Sequence, residues 1–529
     1  MGAVELEIFH HLFSAVAEEM GVALGRTAFS PNIKERLDFS CAVFDRDGAA
    51  VAQAAHIPVH LGSMPLSVAA AIRDCSMAPG DVVLLNDPFR GGTHLPDLTV
   101  VAPVYLEGAS SGPTFYVADR AHHADVGGAA AGSMSLAREI YQEGLVIPPV
   151  RIARAGTVER DLMALLLANV RTPREREGDL RAQLAALETG RRRLERIWAR
   201  YGRGATMDAA RALQDYAERM VVRALREIPD GLYEFEDFLD DDGFGYGPIR
   251  LAVSIRIAGG RAVVDFDGTD GEVEGPMNAT RGITTSAVLY VFRCLADPST
   301  PTNAGILRPI EVRIPEGSVL AARPPAAVAA GNVETSQRVV DVLFGALAKA
   351  RPDLIPAASG GSMNNVVLGG WDPIRKKPFT YYETIACGMG ARESADGLSG
   401  VHTHMTNTRN TAVESLERIF PFRVTRYGYR RGSGGGGFRR GGDGLVREYE
   451  ALVPMELSIL SERRTTHPWG SRGGEPGRAG RNVLRTRSCD VELPGKTRVM
   501  LGQGDAFAIE TPGGGGYGQA RLAPVEEGQ

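Results

Sequence analysis

The length of this chain constrains its fold more than any single motif does. A single hydrophobic core stops growing at roughly 250–300 residues, and this chain has 529 residues. Its apolar residues must therefore be divided among several cores, so we expect about two to four domains. None of its apolar runs approaches the roughly 20 residues that a membrane-spanning helix needs. The sequence therefore predicts a soluble protein without membrane contact.

Segments in which apolar and polar residues alternate, as in strands, and segments with apolar residues at helical spacing follow one another along the chain. They predict a mixed α and β, multidomain fold that is β-rich with helical insertions. We place an N-terminal α/β domain at 1–230, a central α+β domain at 231–400 and a C-terminal region at 401–529.

Helical patterns within the N-terminal domain predict an opening helix and a charged helical arm. The opening helix is expected to end at Gly21 or Gly25, because glycine commonly follows the last helical turn. The arm is expected to contain helices from Val158 to Arg200 and from Met207 to Ile228. Their charged outer faces are typical of solvated helices over a core stripe.

Glycine and arginine become frequent after residue 400, in RRGSGGGGFRRGGDG, RGGEPGRAGR and PGGGGYG. We expect a Gly-rich strand-and-turn region here, because glycine supplies the positive φ that sharp turns need. An RNA-binding Arg–Gly tail is the alternative for these segments, but turns are the simpler interpretation.

The near-balance of charges gives the chain no overall field that would attract nucleic acid or an anionic membrane, and basic residues concentrate only near the C-terminus. Lys and Arg total 59 against 64 Asp and Glu, for a formal net charge of −5. The five cysteines lie far apart without a C-x-x-C pair, which favours a reducing cytoplasm. Glu5, Glu7, Glu18 and Glu19 stand where a secretory signal peptide would be basic and then apolar. We therefore expect a cytoplasmic location.

Half of the ten histidines lie between residues 56 and 123. Two H-x-x-D units occur there, His94 with Asp97 and His122 with Asp125, and each lies beside an apolar strand pattern. Imidazole nitrogen and carboxylate oxygen together suit divalent Mn, Fe or Zn. The alternative is a set of hydrogen-bonded strand ends without a metal, and spacing alone does not decide between the two.

Local geometry favours a rigid site around the first unit. Pro96 fixes its own φ and removes a donor, so His94–Asp97 is expected to form a stiff turn rather than a helix. Upstream, His56 and His60 are candidates for the same pocket, and a loop with structural hydrogen bonds is the alternative for them.

A second polar group follows much later in the chain. His402 and His404 lie two residues apart and would share one face of a strand. With Asn407 and Arg409 they are candidates for gripping a substrate carbonyl or carboxylate. Hydrogen bonding at a domain interface is the competing interpretation.

The blocks that carry these residues resemble the hydantoinase B/oxoprolinase family. The resemblance rests on NDPFRGGTHLPDLTVVAPV from Asn86, ADRAHHADVGG from Ala118, GNVETSQRVVDVLFGAL from Gly331, VHTHMTNTRNTAVESLE from Val401 and TPGGGGYG from Thr511. It implies the second component of an ATP-dependent hydrolase that opens hydantoin, oxoproline or related lactam rings. Ketone carboxylase subunits are relatives.

The resemblance also implies cofactors, partners and roles for named residues. His94, Asp97 and His122 would bind a divalent metal, while His123 and Asp125 would orient the ligands or act as general base. ATP would be bound by an A-type partner subunit in a hetero-oligomer, and not by this chain. This agrees with the sequence, since Gly495-Lys496-Thr497 lacks the upstream glycine of a P-loop.

We therefore predict the B subunit of an ATP-dependent cyclic-amide hydrolase. In this hypothesis the metal delivers hydroxide to a carbonyl that the partner has activated. A ketone carboxylase subunit and a non-catalytic scaffold subunit, with a structural metal or none, are the alternatives. The choice among cyclic amides would depend on pocket shape, and hence on how the loops pack.

Overall fold

The computed structural model describes residues 1–54, 56–107, 112–486 and 488–520, so the last nine residues of the predicted C-terminal region lie outside it. Helices and β-sheets alternate along the chain, which confirms the predicted mixed α and β class. The α-helices are α1 Ala3–Thr27, α2 Pro31–Lys34, α3 Met64–Asp74, α4 Ile140–Glu143, α5 Arg160–Ala168, α6 Pro173–Arg226, α7 Arg281–Leu295, α8 Ser336–Ala350 and α9 Val413–Ile419. Across the described ranges, none of the helices is long and apolar enough to cross a membrane.

The N-terminal sheet has both faces covered. Its strands are β1 Phe39–Asp45, β2 Ala50–Gln53, β3 Val82–Leu85, β4 Asp97–Val104, β5 Phe115–His122, β6 Val150–Arg154 and β7 Thr157–Val158, in the order β2-β1-β5-β4-β3-β6-β7. Val100 and Val117 pack in a core with α1 and α6, while Val101 and Ala118 pack in another with α3. Alternate residues of each strand therefore enter different cores.

The opening helix runs past both glycines that were expected to end it. Helix α1 continues to Thr27, so the prediction of an end at Gly21 or Gly25 is wrong. A Cβ added at Gly21 would lie 2.7 Å from the ring of His56, so this glycine allows close packing rather than helix termination. The predicted break in the helical arm is confirmed, since α6 contains a non-helical residue at Gly202, with φ of 78°.

The central region is a sheet backed by two helices. Its strands are β8 Gly231–Leu239, β9 Ile249–Ala258, β10 Arg261–Asp265 and β11 Ile310–Arg313, in the order β11-β10-β9-β8. Helices α7 and α8 and the end of α6 contribute to the core on this sheet. A single π-helical segment, Gly331–Thr335, leads directly into α8.

The C-terminal half contains two sheets that share one core. Their strands are β12 Asn365–Asp372, β13 Lys377–Glu383, β14 Phe422–Arg430, β15 Gly444–Ala451, β16 Met455–Leu460, β17 Arg481–Arg485, β18 Asp490–Leu493, β19 Lys496–Leu501 and β20 Ala506–Glu510. One sheet has the order β13-β12-β16-β19 and the other β14-β15-β20-β17-β18. The predicted boundary at residue 401 therefore runs between strands of one sheet, and the domain limits stay a prediction.

Glycines of the C-terminal region allow backbones to pack against each other. A Cβ added at Gly514 would lie 2.1 Å from the carbonyl oxygen of Met389, and one added at Gly441 would lie 2.0 Å from that of Gly514. Between residues 401 and 520, the described glycines with positive φ are Gly432, Gly473, Gly504 and Gly518. The prediction of a strand-and-turn region is confirmed. Positive φ, the reason given for its glycines, applies to few of them, because most allow two backbone segments to approach each other closely.

This close packing predicts that adding one methyl group at Gly514 strongly destabilises the folded protein. Gly514→Ala is expected to lower the free energy of unfolding by about 3 kcal/mol, because the new Cβ overlaps a backbone oxygen that cannot rotate away. Gly428→Ala is the matched control, since nothing lies within 4 Å of its added Cβ. Denaturant unfolding of both variants measures the difference. Equal midpoints for the two would contradict the packing argument.

Candidate metal centre

Strand pairing places the acidic and imidazole side chains together. Asp97 is the first residue of β4 and lies directly opposite His122, the last residue of β5. His94 reaches the same point through a tight turn in which Asp97 N donates to His94 O at 3.1 Å. The stiff turn expected from Pro96 is therefore present.

Three side-chain atoms converge in the buried space at this strand end. His94 Nε2 lies 3.2 Å from His122 Nδ1, and Asp97 Oδ1 lies 3.3 Å from His94 Nε2 and 3.1 Å from His122 Nδ1. The three residues are 0%, 1% and 2% exposed. In the part of the chain that the structure describes, this is the group of three or more His, Cys, Asp or Glu residues with metal-ligand spacing.

These residues fit a divalent ion. Ligands about 2.1 Å from an ion lie about 3.0–3.4 Å from one another in octahedral or tetrahedral coordination, and the observed spacing lies within that interval. Burial lowers the pKa of His122, although Asp97 opposes this. Two imidazoles and one carboxylate form a donor set that suits Mn, Fe or Zn.

The second oxygen of Asp97 is held by two further side chains. His60 Nε2 lies 3.3 Å from Asp97 Oδ2, and Thr93 Oγ1 donates to the same oxygen. His60 Nδ1 is in turn 2.8 Å from Ser40 Oγ. Burial alone would raise the pKa of Asp97, but His94, His60 and His122 hold it well below its usual range. Of the two upstream candidates, His60 therefore belongs to the site.

His56 does not join this group. Its Nδ1 accepts from the backbone N–H of Cys41 at 3.2 Å, and its ring packs edge-on against Phe39. For His56, the alternative of a structural hydrogen bond in a loop is therefore the one that the contacts support.

A buried arginine lies behind the carboxylate. The Arg120 guanidinium donates to Thr99 Oγ1 at 2.8 Å, to Ser67 Oγ at 2.7 Å and to Ser63 Oγ at 2.5 Å. Burial lowers its pKa to about 10, and the charge of Asp97 opposes that shift. Hydroxyl groups thus solvate the cation, while its field favours the ionised form of Asp97.

A small cavity adjoins the cluster. Its volume is about 20 Å³, enough for roughly one water molecule. Besides Asp97 and His122, its polar lining comes from the N-terminal residues Asp38 and His60 and from residues much later in the chain: Asn332, Tyr382, Thr384, Thr406 and Thr408. In this conformation the space admits a water or an ion rather than a ring-shaped substrate.

The structure does not bring His123 and Asp125 to the three ligand atoms. His123 Nε2 lies 2.9 Å from Gln183 Oε1 of α6, and burial lowers its pKa to about 4. Asp125 accepts from the Arg171 side chain and backbone, each at 2.8 Å, so it fastens a loop. Neither placement suits a general base at the site, because proton transfer requires hydrogen-bond reach.

The four predicted substrate-binding residues are also dispersed. Residues 402–404 form no strand, and His404 has φ of 58°, so the prediction that His402 and His404 share a strand face is wrong. His404 packs against Tyr290 and Phe344. Burial lowers the pKa of His402 to about 4, and Arg36 adds to the effect.

Asn407 and Arg409 are exposed, while their neighbours line the cavity. Asn407 Nδ2 donates to His56 O at 3.4 Å. Met405, Thr406 and Thr408 point inward instead. Two of the four selected residues, Asn407 and Arg409, therefore face outward, while the neighbours that line the cavity were not selected. The backbone does not follow the regular strand alternation on which the selection of His402 and His404 depended.

Glu143 supports the wall of the cavity. Its Oε1 accepts from Val328 N at 2.9 Å and from Ala329 N at 2.8 Å. This contact fixes the chain just before the π-helical segment that carries Asn332. Burial raises the pKa of Glu143 to about 8, although the two amide bonds oppose the shift.

This pKa predicts a pH-dependent stability. The folded protein binds the proton up to about pH 8, whereas the unfolded value is 4.5, so stability falls as pH rises between the two. Glu143→Gln keeps an acceptor and cannot ionise. Urea unfolding across this window should show wild type losing up to about 1.4 kcal/mol per pH unit more than the variant. Parallel pH profiles would show that Glu143 ionises normally in the folded state.

Comparison with known proteins agrees with the resemblance. The hydantoinase B/oxoprolinase family model matches residues 2–520. 5-oxoprolinase 1 of Arabidopsis thaliana is 40% identical over 97% of this chain, which spans only 42% of that protein. The crystal structure of an ATP-dependent caprolactamase from Pseudomonas jessenii superposes with a TM-score of 0.91 at 28% identity, covering 98% of this chain and 91% of that one.

A structure of acetone carboxylase shares the fold. Its TM-score is 0.90 at 19% identity, over 97% of this chain and 75% of that chain. Identity this low shows the architecture alone. The match of the family model over nearly the whole length, together with the 5-oxoprolinase identity, shows that this chain belongs to the hydantoinase B/oxoprolinase family.

Proposed function

We propose that this chain is the metal-dependent hydrolytic component of an ATP-dependent cyclic-amide hydrolase. The observation that carries the proposal is the buried convergence of His94 Nε2, Asp97 Oδ1 and His122 Nδ1, with separations of 3.1–3.3 Å. The named activities of the relatives, 5-oxoprolinase and caprolactamase, concern cyclic amides and support this substrate class.

The site residues would act on the acyl carbon of the ring. A bound divalent ion would supply Lewis-acid chemistry, polarising a carbonyl and lowering the pKa of water. Contacts with His94, His60 and His122 hold the pKa of Asp97 well below its usual range despite its burial, so Asp97 would keep its negative charge. His122 remains neutral because it is buried, so its Nδ1 is available as a ligand at neutral pH.

His123 and Asp125 have no place in this mechanism. The contacts that engage them, with Gln183 and Arg171, support a structural role. The exposure of Asn407 and Arg409 likewise argues against direct contact with a substrate at the cavity. We assign contact with the water or ion in the cavity to its lining, in which Asn332, Thr406 and Thr408 supply hydrogen-bonding groups.

We assign ATP to an A-type partner subunit. Lys496, in the partial P-loop match, is buried and paired with Glu462, so it serves packing rather than phosphate binding. Gly432, Gly434 and Gly437 match the spacing G-x-G-x-x-G of a nucleotide-binding loop, but Gly434 lies against the backbone of Gly441. The partner would activate the amide carbonyl with ATP, and this chain would complete hydrolysis in the shared complex.

Two adjacent histidines provide a matched test. With the A-type partner present, His122→Ala is expected to lose bound divalent metal and to lower ATP-dependent ring opening by roughly two orders of magnitude, because a ligand is removed. His123→Gln should retain the metal and most of the turnover, because its contact is with Gln183. Elemental analysis and a ring-opening assay measure the two properties.

Other outcomes of this experiment favour the alternatives. Full turnover in His122→Ala would contradict a catalytic metal and favour a scaffold subunit. Lost turnover with retained metal in His123→Gln would restore its role as general base. Bicarbonate-dependent turnover of a ketone by the wild-type complex would favour a carboxylase.

A further inference from the structure

The orientation of the His122 ring matters for the cluster, because its Nδ1 lies 3.1 Å from Asp97 Oδ1 and 3.2 Å from His94 Nε2. A metal-binding histidine ordinarily donates its outer ring N–H to a carboxylate, carbonyl or water. Among the described residues, His122 Nε2 is buried and has no protein hydrogen-bond partner. A protein contact that orients this ring therefore acts on its face or edge rather than on Nε2.

Tyr382 is the residue placed to do this. Its ring stacks on that of His122 with centroids 4.5 Å apart and an interplanar angle of 22°. The stack is completely buried, since Tyr382 and His122 are each 2% exposed. A parallel ring at this distance restricts tilting of the imidazole, and tilting would move Nδ1 away from the other two ligand atoms.

Tyr382 is itself fixed at both ends. Its hydroxyl donates to Asn365 Oδ1 at 2.9 Å, and Asn365 Nδ2 donates to Glu334 Oε1 at 2.7 Å. At the backbone, Arg36 Nη1 donates to Tyr382 O at 3.2 Å, and the same guanidinium lies over the tyrosine ring, 4.9 Å from its centroid. The ring is therefore a rigid surface rather than a mobile core side chain.

We infer that Tyr382 is a positioning residue for His122, and that its ring face, not its hydroxyl, sets the metal affinity of the site. This inference rests on the proposed metal function. Because Tyr382 belongs to β13, the metal affinity would depend on how the C-terminal half packs against the N-terminal sheet.

The neighbouring Tyr381 offers a matched control on the same strand. It is also 2% exposed, but it points to the opposite face of β13 and packs against Phe420 and Phe422. Leucine at either position removes a buried aromatic ring and lowers stability. Only the change at position 382 removes a contact with a ligand of the cluster.

Cobalt binding to the full chain tests the inference without an activity assay. Tyr382→Leu is expected to weaken Co²⁺ binding by about 10-fold or more, measured by chelator competition, and to shift the visible absorption of the bound ion. Tyr382→Phe and Tyr381→Leu should bind Co²⁺ as wild type does. If Tyr382→Leu does not fold, Tyr382→Met replaces it, since methionine fills the space without a planar ring.

The outcomes separate this inference from the proposed function. Equal weakening by Tyr381→Leu and Tyr382→Leu would show a general packing effect and overturn the inference. Weakening in Tyr382→Phe as large as in the leucine variant would assign the effect to the hydroxyl and also overturn it. A wild-type chain that binds neither Co²⁺ nor Zn²⁺ would overturn the metal function itself.

Discussion

The buried carboxylate of Asp97 is the constraint on which the site depends. An ionised carboxylate out of contact with water is unfavourable unless donors or a cation compensate for its lost hydration. His94, His122, His60 and Thr93 all direct polar atoms at its two oxygens. The turn before β4 and the pairing of β4 with β5 bring these groups to one carboxylate.

Strand alternation then decides which histidine joins the candidate metal centre. Both faces of the N-terminal sheet are covered, so successive residues of β5 enter different cores. His122 faces Asp97, while His123 reaches Gln183 of α6. A shift of one residue in the register of β5 would exchange their roles. The proposed metal binding thus depends on the pairing of β5 with β4, which begins at Phe115 and ends at the candidate ligand His122.

The local part of this arrangement could be predicted from the sequence, and the tertiary part could not. The strands, the Pro96 turn and the His94–Asp97 unit are encoded within a short segment, so pattern reasoning reached them. Spacing did not separate His122 from His123, and only the family resemblance placed His122 first. Tyr382 carried no signal, because its role arises from the packing of a distant strand. The role of Gly514 could not be predicted either. Glycine content alone does not tell whether a glycine is needed for a positive φ or for the close approach of another backbone segment.

Buried ion pairs and hydrogen bonds hold the elements around the candidate metal centre in one geometry. Arg463 donates to Asp237 at 2.6 Å and to Asp341 at 2.9 Å, and Lys496 pairs with Glu462, so β8, α8 and β19 share a buried ionic network. Removal of one partner would leave an uncompensated buried charge, which makes alternative packings of these elements costly. The same α8 segment begins just after Glu334, which holds Asn365 and, through it, Tyr382. The hydroxyl bond is one anchor among several, since Arg36 donates to the backbone carbonyl of Tyr382 and lies over its ring. The ring that faces His122 therefore acquires its fixed position from polar contacts made well outside the metal centre.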